Sequence, residues 1–200
     1  MNEFLWLVGR GTGVAALVFL TVSVSLGILT AHRWGTRETP RFAVSEIHRR
    51  ASLGASLLLL VHMATLVLDS RSGLRWMDLV VPFVSTRNAL WYGLGTLGFE
   101  LLAVLVVSSL LRKHLPYAVW RGLHWLAYLC WPVAFIHGIG SGSDAGSVWM
   151  LLVSAACLVL VMWSVTTRLL SPNATGPASR PGSRPDGTAK EVARAGARRE

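Results

Sequence analysis

Five runs of mostly apolar residues alternate with connections that carry nearly all of the charge. They cover residues 4–31, 51–68, 90–111, 116–139 and 148–169. Runs of about 18 to 27 residues, rising about 1.5 Å each, are long enough as helices to cross a hydrocarbon core of about 30 Å. Ser45 is an N-cap candidate, which gives the second run a helical lead-in. Pro116 suits a helix start and introduces the fourth. Residues 76–83, in the mixed connection between runs two and three, read as a short interfacial helix or turn. The pattern predicts an all-α integral membrane bundle of five spans.

Composition agrees. The chain has 200 residues, 52% of them hydrophobic, and a mean hydropathy of +0.50, too apolar for an ordinary soluble domain. The first run lacks a basic leader and is too long for a signal peptide, so it reads as a retained span. The formal charge of +9 raises nucleic acid as a partner. The basic residues, however, lie in loops and the tail, where anionic lipid explains them, so no nucleic-acid partner is expected. Cys130 and Cys157 each sit inside an apolar run and read as buried free thiols. From Ser171 the chain turns to Pro, Gly, Ser, Ala and charge, which cannot bury enough apolar area to offset ordering. Residues 1–170 are therefore expected to form the membrane domain and 171–200 a disordered basic tail.

Charge also sets an orientation. Lysines and arginines number five after run one, three after run three counting Arg121 near the start of run four, and seven in the tail from Arg168. The opposite side holds one, three and none, so the balance is fifteen to four. The positive-inside rule then places the N-terminus outside and the C-terminus in the cytoplasm of a multi-pass cell-membrane protein.

Four histidines interrupt the apolar runs. His48 and His62 are fourteen positions apart around the second run, and His124 and His137 are thirteen apart in the fourth. Imidazole in hydrocarbon is costly without a partner. Both spans run from the cytoplasm outward, so His48 and His124 start them and His62 and His137 lie toward the far ends. The intervals correspond to roughly 21 and 20 Å along the helices. Side by side, the spans present two histidine pairs, one near each leaflet. Two axial histidines per site suit a low-spin haem built for electron transfer. Phase supports only one helix. Fourteen residues fall about 40° short of whole turns and thirteen about 140° short, so His124 and His137 share a face only if winding is altered. Pro132, between them, is the expected cause.

Other residues have roles beside plainer readings. Arg10, about one and a half turns inside span one, is a candidate for pairing with haem carboxylates or for snorkelling outward. Arg49, Arg50 and Arg121 border the inner histidines and are candidates to serve an inner haem, although positive-inside topology alone accounts for them. Glu100 is the one acid deep in a span, as a protonated hydrogen-bonding group, a partner for a base or part of a proton route. Gly93, Gly95 and Gly98 suggest close helix packing. Trp131 and Phe135 read as core packing, and His32 and His114 as solvated loop residues.

These residues resemble the ferric reductase-like transmembrane domain family, which includes ferric reductases, NADPH oxidases and the haem subunit of the bacterial methionine sulfoxide reductase system. The resemblance rests on Arg10-Gly11-Thr12-Gly13, on the His48–His62 spacing and on Val81-Pro82-Phe83 leading into Leu94-Gly95. It continues through Leu123-His124 and His137-Gly138, and covers roughly residues 5–170. It implies two b-type haems, one held by His48 with His124 and one by His62 with His137. It also implies that a thirteen-residue interval is tolerated on the second helix. Many members carry a flavin and nicotinamide domain after the membrane part. Here a short tail without a glycine-rich nucleotide turn follows, so this chain is not expected to bind FAD or NADPH. The expectation is the haem-binding membrane component of an oxidoreductase. A separate reductase or other membrane donor would supply electrons, and ferric iron or a redox protein outside would accept them. The competing readings are a metal-ion or proton transporter using the same histidines, and a non-redox membrane anchor.

Overall fold

Every described element is an α-helix. The computed structural model of the chain describes residues 2–31, 41–70, 72–141, 144 and 146–170. His32 and the tail from Ser171 lie outside the described residues. The helices are α1 (Asn2–Ala31), α2 (Arg41–Leu68), α3 (Trp76–Val80), α4 (Ala89–Leu110), α5 (Tyr117–His124), α6 (Ala127–Gly140) and α7 (Val148–Leu170). Five stretches are long and apolar enough to cross a membrane, with α5 and α6 together making the fourth. The chain divides into units Met1–Arg168 and Leu169–Glu200; the bundle described here is the first.

Lipid-facing positions are easy to recognise. On α7, Met150, Ser154, Cys157, Val161 and Ser164 are buried, spaced four and three apart so that they fall on one stripe. Leu152, Val159 and Met162 between them are exposed, as they must be where lipid rather than water surrounds the helix. The shared core joins Leu20, Ala55, Leu102, Leu105, Cys130, Trp131, Cys157 and Val161. Trp131 is buried in it, stacked on Phe135 at 5.0 Å, with its indole N–H donated to Thr21 Oγ1 at 2.9 Å. Trp131 and Phe135 are therefore core residues, as expected, and Cys130 and Cys157 are buried free thiols.

Close backbone packing joins α1 to α2 and α4 to α6, and on a smaller scale α1 to α6, α4 to α5 and α3 to α4. Small residues permit it, since helices in lipid associate through close contact rather than by water exclusion. Gly54 of α2 receives the Phe19 ring of α1, and Gly98 of α4 lies against Val133 and Ala134 of α6. The pair α2 and α6 is absent from these close contacts. A cleft separates them instead, lined from α2 by Ala55, Leu59 and His62 and from α6 by Cys130, Ala134 and His137.

The fourth span is wound differently from expectation. The helix breaks at Trp125 and Leu126, upstream of Pro132, and α6 continues through the proline. Both break residues have tight-helix dihedrals, φ −64° and ψ −21° at Trp125 and φ −59° and ψ −17° at Leu126. The amides of Trp125, Leu126, Tyr128 and Leu129 bond three residues back, Leu126 to Leu123 and Tyr128 to Trp125 both at 3.0 Å, and Trp125 also bonds Arg121 four back. A 3₁₀ turn advances about 120° per residue against about 100° in an α-helix. Over four or five residues this adds roughly 80–100°, which reduces the phase shortfall from about 140° to roughly 40–60°. That approximates the offset between His48 and His62. Overwinding just after His124 recovers much of the phase, and α6 continues through Pro132.

Candidate functional site

The four histidines gather in twos. His48 of α2 and His124 at the end of α5 face each other with ring centroids 6.3 Å apart and planes at 77°. His62 of α2 and His137 of α6 line one cleft. Since the first members meet and the second members share a cleft, α2 and the α5–α6 span run in the same direction.

Three of the rings are fixed by the main chain of another helix. Nδ1 of His48 donates to Ser23 O at 2.8 Å, Nδ1 of His62 to Gly9 O at 2.7 Å, and Nδ1 of His137 to Trp91 O at 2.8 Å. A carbonyl oxygen only accepts, so each Nδ1 carries the proton and each Nε2 keeps a lone pair. This support orients a metal-ligating imidazole and raises its basicity. Ser23 Oγ also lies 3.3 Å from His48 Nδ1, and Ser141 Oγ is a distant 3.5 Å from His137 Nε2. His124 differs: its Nδ1 is buried with no partner among the described residues. Its ring stacks on Trp120 at 5.2 Å and 22°.

Glycines make room for the same three rings. A Cβ at Gly13 would fall 2.9 Å from the His62 ring, at Gly95 2.6 Å from His137, and at Gly27 3.4 Å from His48. Gly95 therefore seats a histidine, whereas the sequence suggested helix packing alone. Gly98 does pack helices, as expected.

Arg10 reaches the second pair. It lines the cleft with His62 and His137, and its Nε donates to Asp144 Oδ2 at 2.9 Å. Its side chain is only 18% exposed. Nη2 is buried with no partner among the described residues, leaving one donor for an acceptor in the cleft. Asp78 and Thr96 line the same cleft, and Thr96 Oγ1 donates to Asp78 O at 2.6 Å, tying α3 to α4. Arg49 and Arg50 turn away from the His48–His124 pair, to Glu46 on the exposed face of α2. Arg121 and His114 are exposed. Glu100 is half-buried and makes no hydrogen bond or ion pair among the described residues.

Comparisons with family models, curated proteins and solved structures found no match. Among the described residues, no group of three or more His, Cys, Asp or Glu side chains is placed to hold a bare metal ion. What the fold assembles is histidines in twos. A metal between two imidazoles has each nitrogen about 2 Å away, with the ring centre roughly 1 Å further, so the centroids lie about 6 Å apart. The His48–His124 separation of 6.3 Å is of that size, and the cleft between α2 and α6 lies at the other pair, His62 and His137.

The residues that sequence reading missed are those that support the histidines. Asp144 lies 134 positions from Arg10, and nothing in the sequence links the two. Gly13 and Gly95 belong to the motifs that carry the resemblance, but nothing local marks them or Gly27 as seats for histidine rings. Trp120 alone had a local signal, lying one turn before His124.

Proposed function

We propose that this multi-pass membrane protein binds two b-type haems and carries electrons from the cytoplasmic side to an acceptor outside, in the manner of the ferric reductase-like family it resembles. His48 and His124 would hold the inner haem and His62 and His137 the outer. The observation that carries this reading is the 6.3 Å separation of the His48 and His124 rings, which suits two imidazoles that would hold one iron between them. Haem bound there supplies a one-electron couple.

The chain's own contributions follow from its contacts. The Ser23, Gly9 and Trp91 carbonyls hold three imidazoles with the proton on Nδ1. Arg10, with one nitrogen on Asp144 and another unpartnered, is set to take a haem carboxylate. Leu17, Leu20 and Leu102 give the cleft apolar walls. Electrons would enter from a separate reductase or membrane donor and leave to ferric iron or a redox protein. The fifteen-to-four charge balance supports the orientation in a cell membrane.

The test is a dithionite-reduced minus oxidised spectrum of the purified protein, with haem counted per chain. Two b-type haems per chain are expected. A colourless protein that takes up no haem on reconstitution overturns the proposal, more so if it moves protons or metal ions across vesicles.

A further inference from the structure

Trp120 is left over from the account above, and it touches the one histidine that lacks a main-chain anchor. Three histidines are held by a hydrogen bond from Nδ1 to a carbonyl on another helix. His124 has none, although its Nδ1 is buried. Something else must stop its ring from turning. Trp120 lies four residues earlier on α5, the spacing at which side chains on one helix face meet. The two rings are nearly parallel, with centroids 5.2 Å apart. The indole is held in turn: the Arg112 guanidinium lies over it at 4.4 Å, and Tyr117 sits beside it at 6.0 Å.

We infer that Trp120 is the positioning residue for His124, its stacked indole fixing the imidazole where the other three histidines use a carbonyl, with Arg112 steadying the indole. The inference rests on the haem reading above. It assigns the crossed ring planes of the His48–His124 pair, 77° apart, to two different supports: the Ser23 carbonyl behind His48 and the Trp120 ring behind His124. It also makes His124 the ligand with the least hydrogen-bond support, so its site depends on one aromatic side chain.

The angle between two axial imidazole planes is read by low-temperature electron paramagnetic resonance. Near-perpendicular planes give a strongly anisotropic low-spin ferric signal, and planes closer to parallel give a rhombic one. The experiment takes the full chain purified with its haem and compares it with Trp120→Leu and Trp120→Phe, recording the spectrum and haem per chain. Trp120→Leu should shift the anisotropic signal or lower haem from two toward one per chain, with the other centre's signal unchanged as a built-in control for folding. Trp120→Phe, which keeps a stacking ring, should match the unaltered protein. Unchanged signal and haem content in Trp120→Leu overturn the inference, as does a Trp120→Phe protein as damaged as Trp120→Leu. If Trp120→Leu does not accumulate, Arg112→Gln replaces it: a shift confined to the anisotropic signal supports the inference, and no shift overturns it. An unaltered protein without haem defeats the haem reading itself, a separate outcome.

Discussion

The two histidine pairs lie on the same two spans but are supported by different means. At His62 and His137, each ring is hydrogen-bonded to a carbonyl and seated on a glycine, and an Arg10–Asp144 ion pair lies alongside. At His48 and His124, one ring has that support and the other rests on Trp120. A buried imidazole must be held both in position and in rotation, and backbone position is only the first requirement. The contrast shows that a carbonyl and an aromatic face are alternative ways of meeting the second.

The contrast breaks most completely at the ligands. On the proposed reading, His62→Ala or His137→Ala should reduce haem from two to one per chain and leave the remaining signal that of the His48–His124 centre. His124→Ala should do the reverse. Pyridine haemochrome assay with protein quantitation measures the stoichiometry. Loss of neither haem, or of both together in every variant, would reject independent pairs.

Glycine seats come next. A methyl at Gly95 would lie 2.6 Å from the His137 ring, against a ring held at Trp91 and unable to retreat freely. Gly95→Ala should cost most of the haem at that site. Gly27→Ala meets the His48 ring at 3.4 Å, close to ordinary contact, and should leave haem content nearly unchanged. Equal losses in the two variants, by the same assay, would show that the seats are general packing positions.

How much of this was legible in the sequence depends on the range of the interaction. Five spans follow from run length, since hydrocarbon imposes one thickness on every helix. Pairing of His48 with His124 followed from depth along co-directional helices. The winding of the fourth span did not follow, because proline is a visible helix breaker, whereas a 3₁₀ segment at Trp125 and Leu126 carries no residue-level mark. Asp144 likewise lies 134 positions from Arg10, and nothing local links the two. Carbonyl anchors are invisible in principle: every residue has a carbonyl, and only the fold selects Gly9, Ser23 and Trp91.

A smaller effect should come from the ion pair that only one site has. Arg10 and Asp144 are 18% and 31% exposed, between the surface case, worth at most about 1 kcal/mol, and the buried one, where breaking a pair costs about 3–5 kcal/mol. Arg10→Gln should therefore destabilise the protein by about 1–2 kcal/mol and loosen haem at the His62–His137 site alone. Asp144→Asn should cost less, because Arg10 keeps a neutral acceptor. Thermal unfolding followed at the haem band measures both. An equal effect on the two haem signals would mean that Arg10 serves the bundle and not the site.

The smallest predicted effect is one of pH, and it too falls on one side of the comparison. Asp78 lines the cleft of His62 and His137. Its carboxyl is held below the usual carboxylate range, first by the backbone N–H of Arg75 and then by the Arg75 side chain, against burial acting the other way. The hydrogen bonds are 3.0 Å from the amide and 3.3 Å from the guanidinium. A carboxylate with a folded pKa below its unfolded value of about 3.9 adds stability that is fully present above that value. The contribution is lost as pH falls through the lower folded pKa. Nothing should change near neutrality, and the loss should begin only below about pH 4. When it comes, α3 loses the cap that its first turn shares with Arg75, and the cleft is affected through the Thr96 bond to Asp78. Acid should therefore release haem from the His62–His137 site before the His48–His124 site, and Asp78→Asn should remove that difference. Haem signals recorded from pH 6 to pH 3 in both proteins decide it: simultaneous loss in the unaltered protein would show that the cap does not act on the cleft.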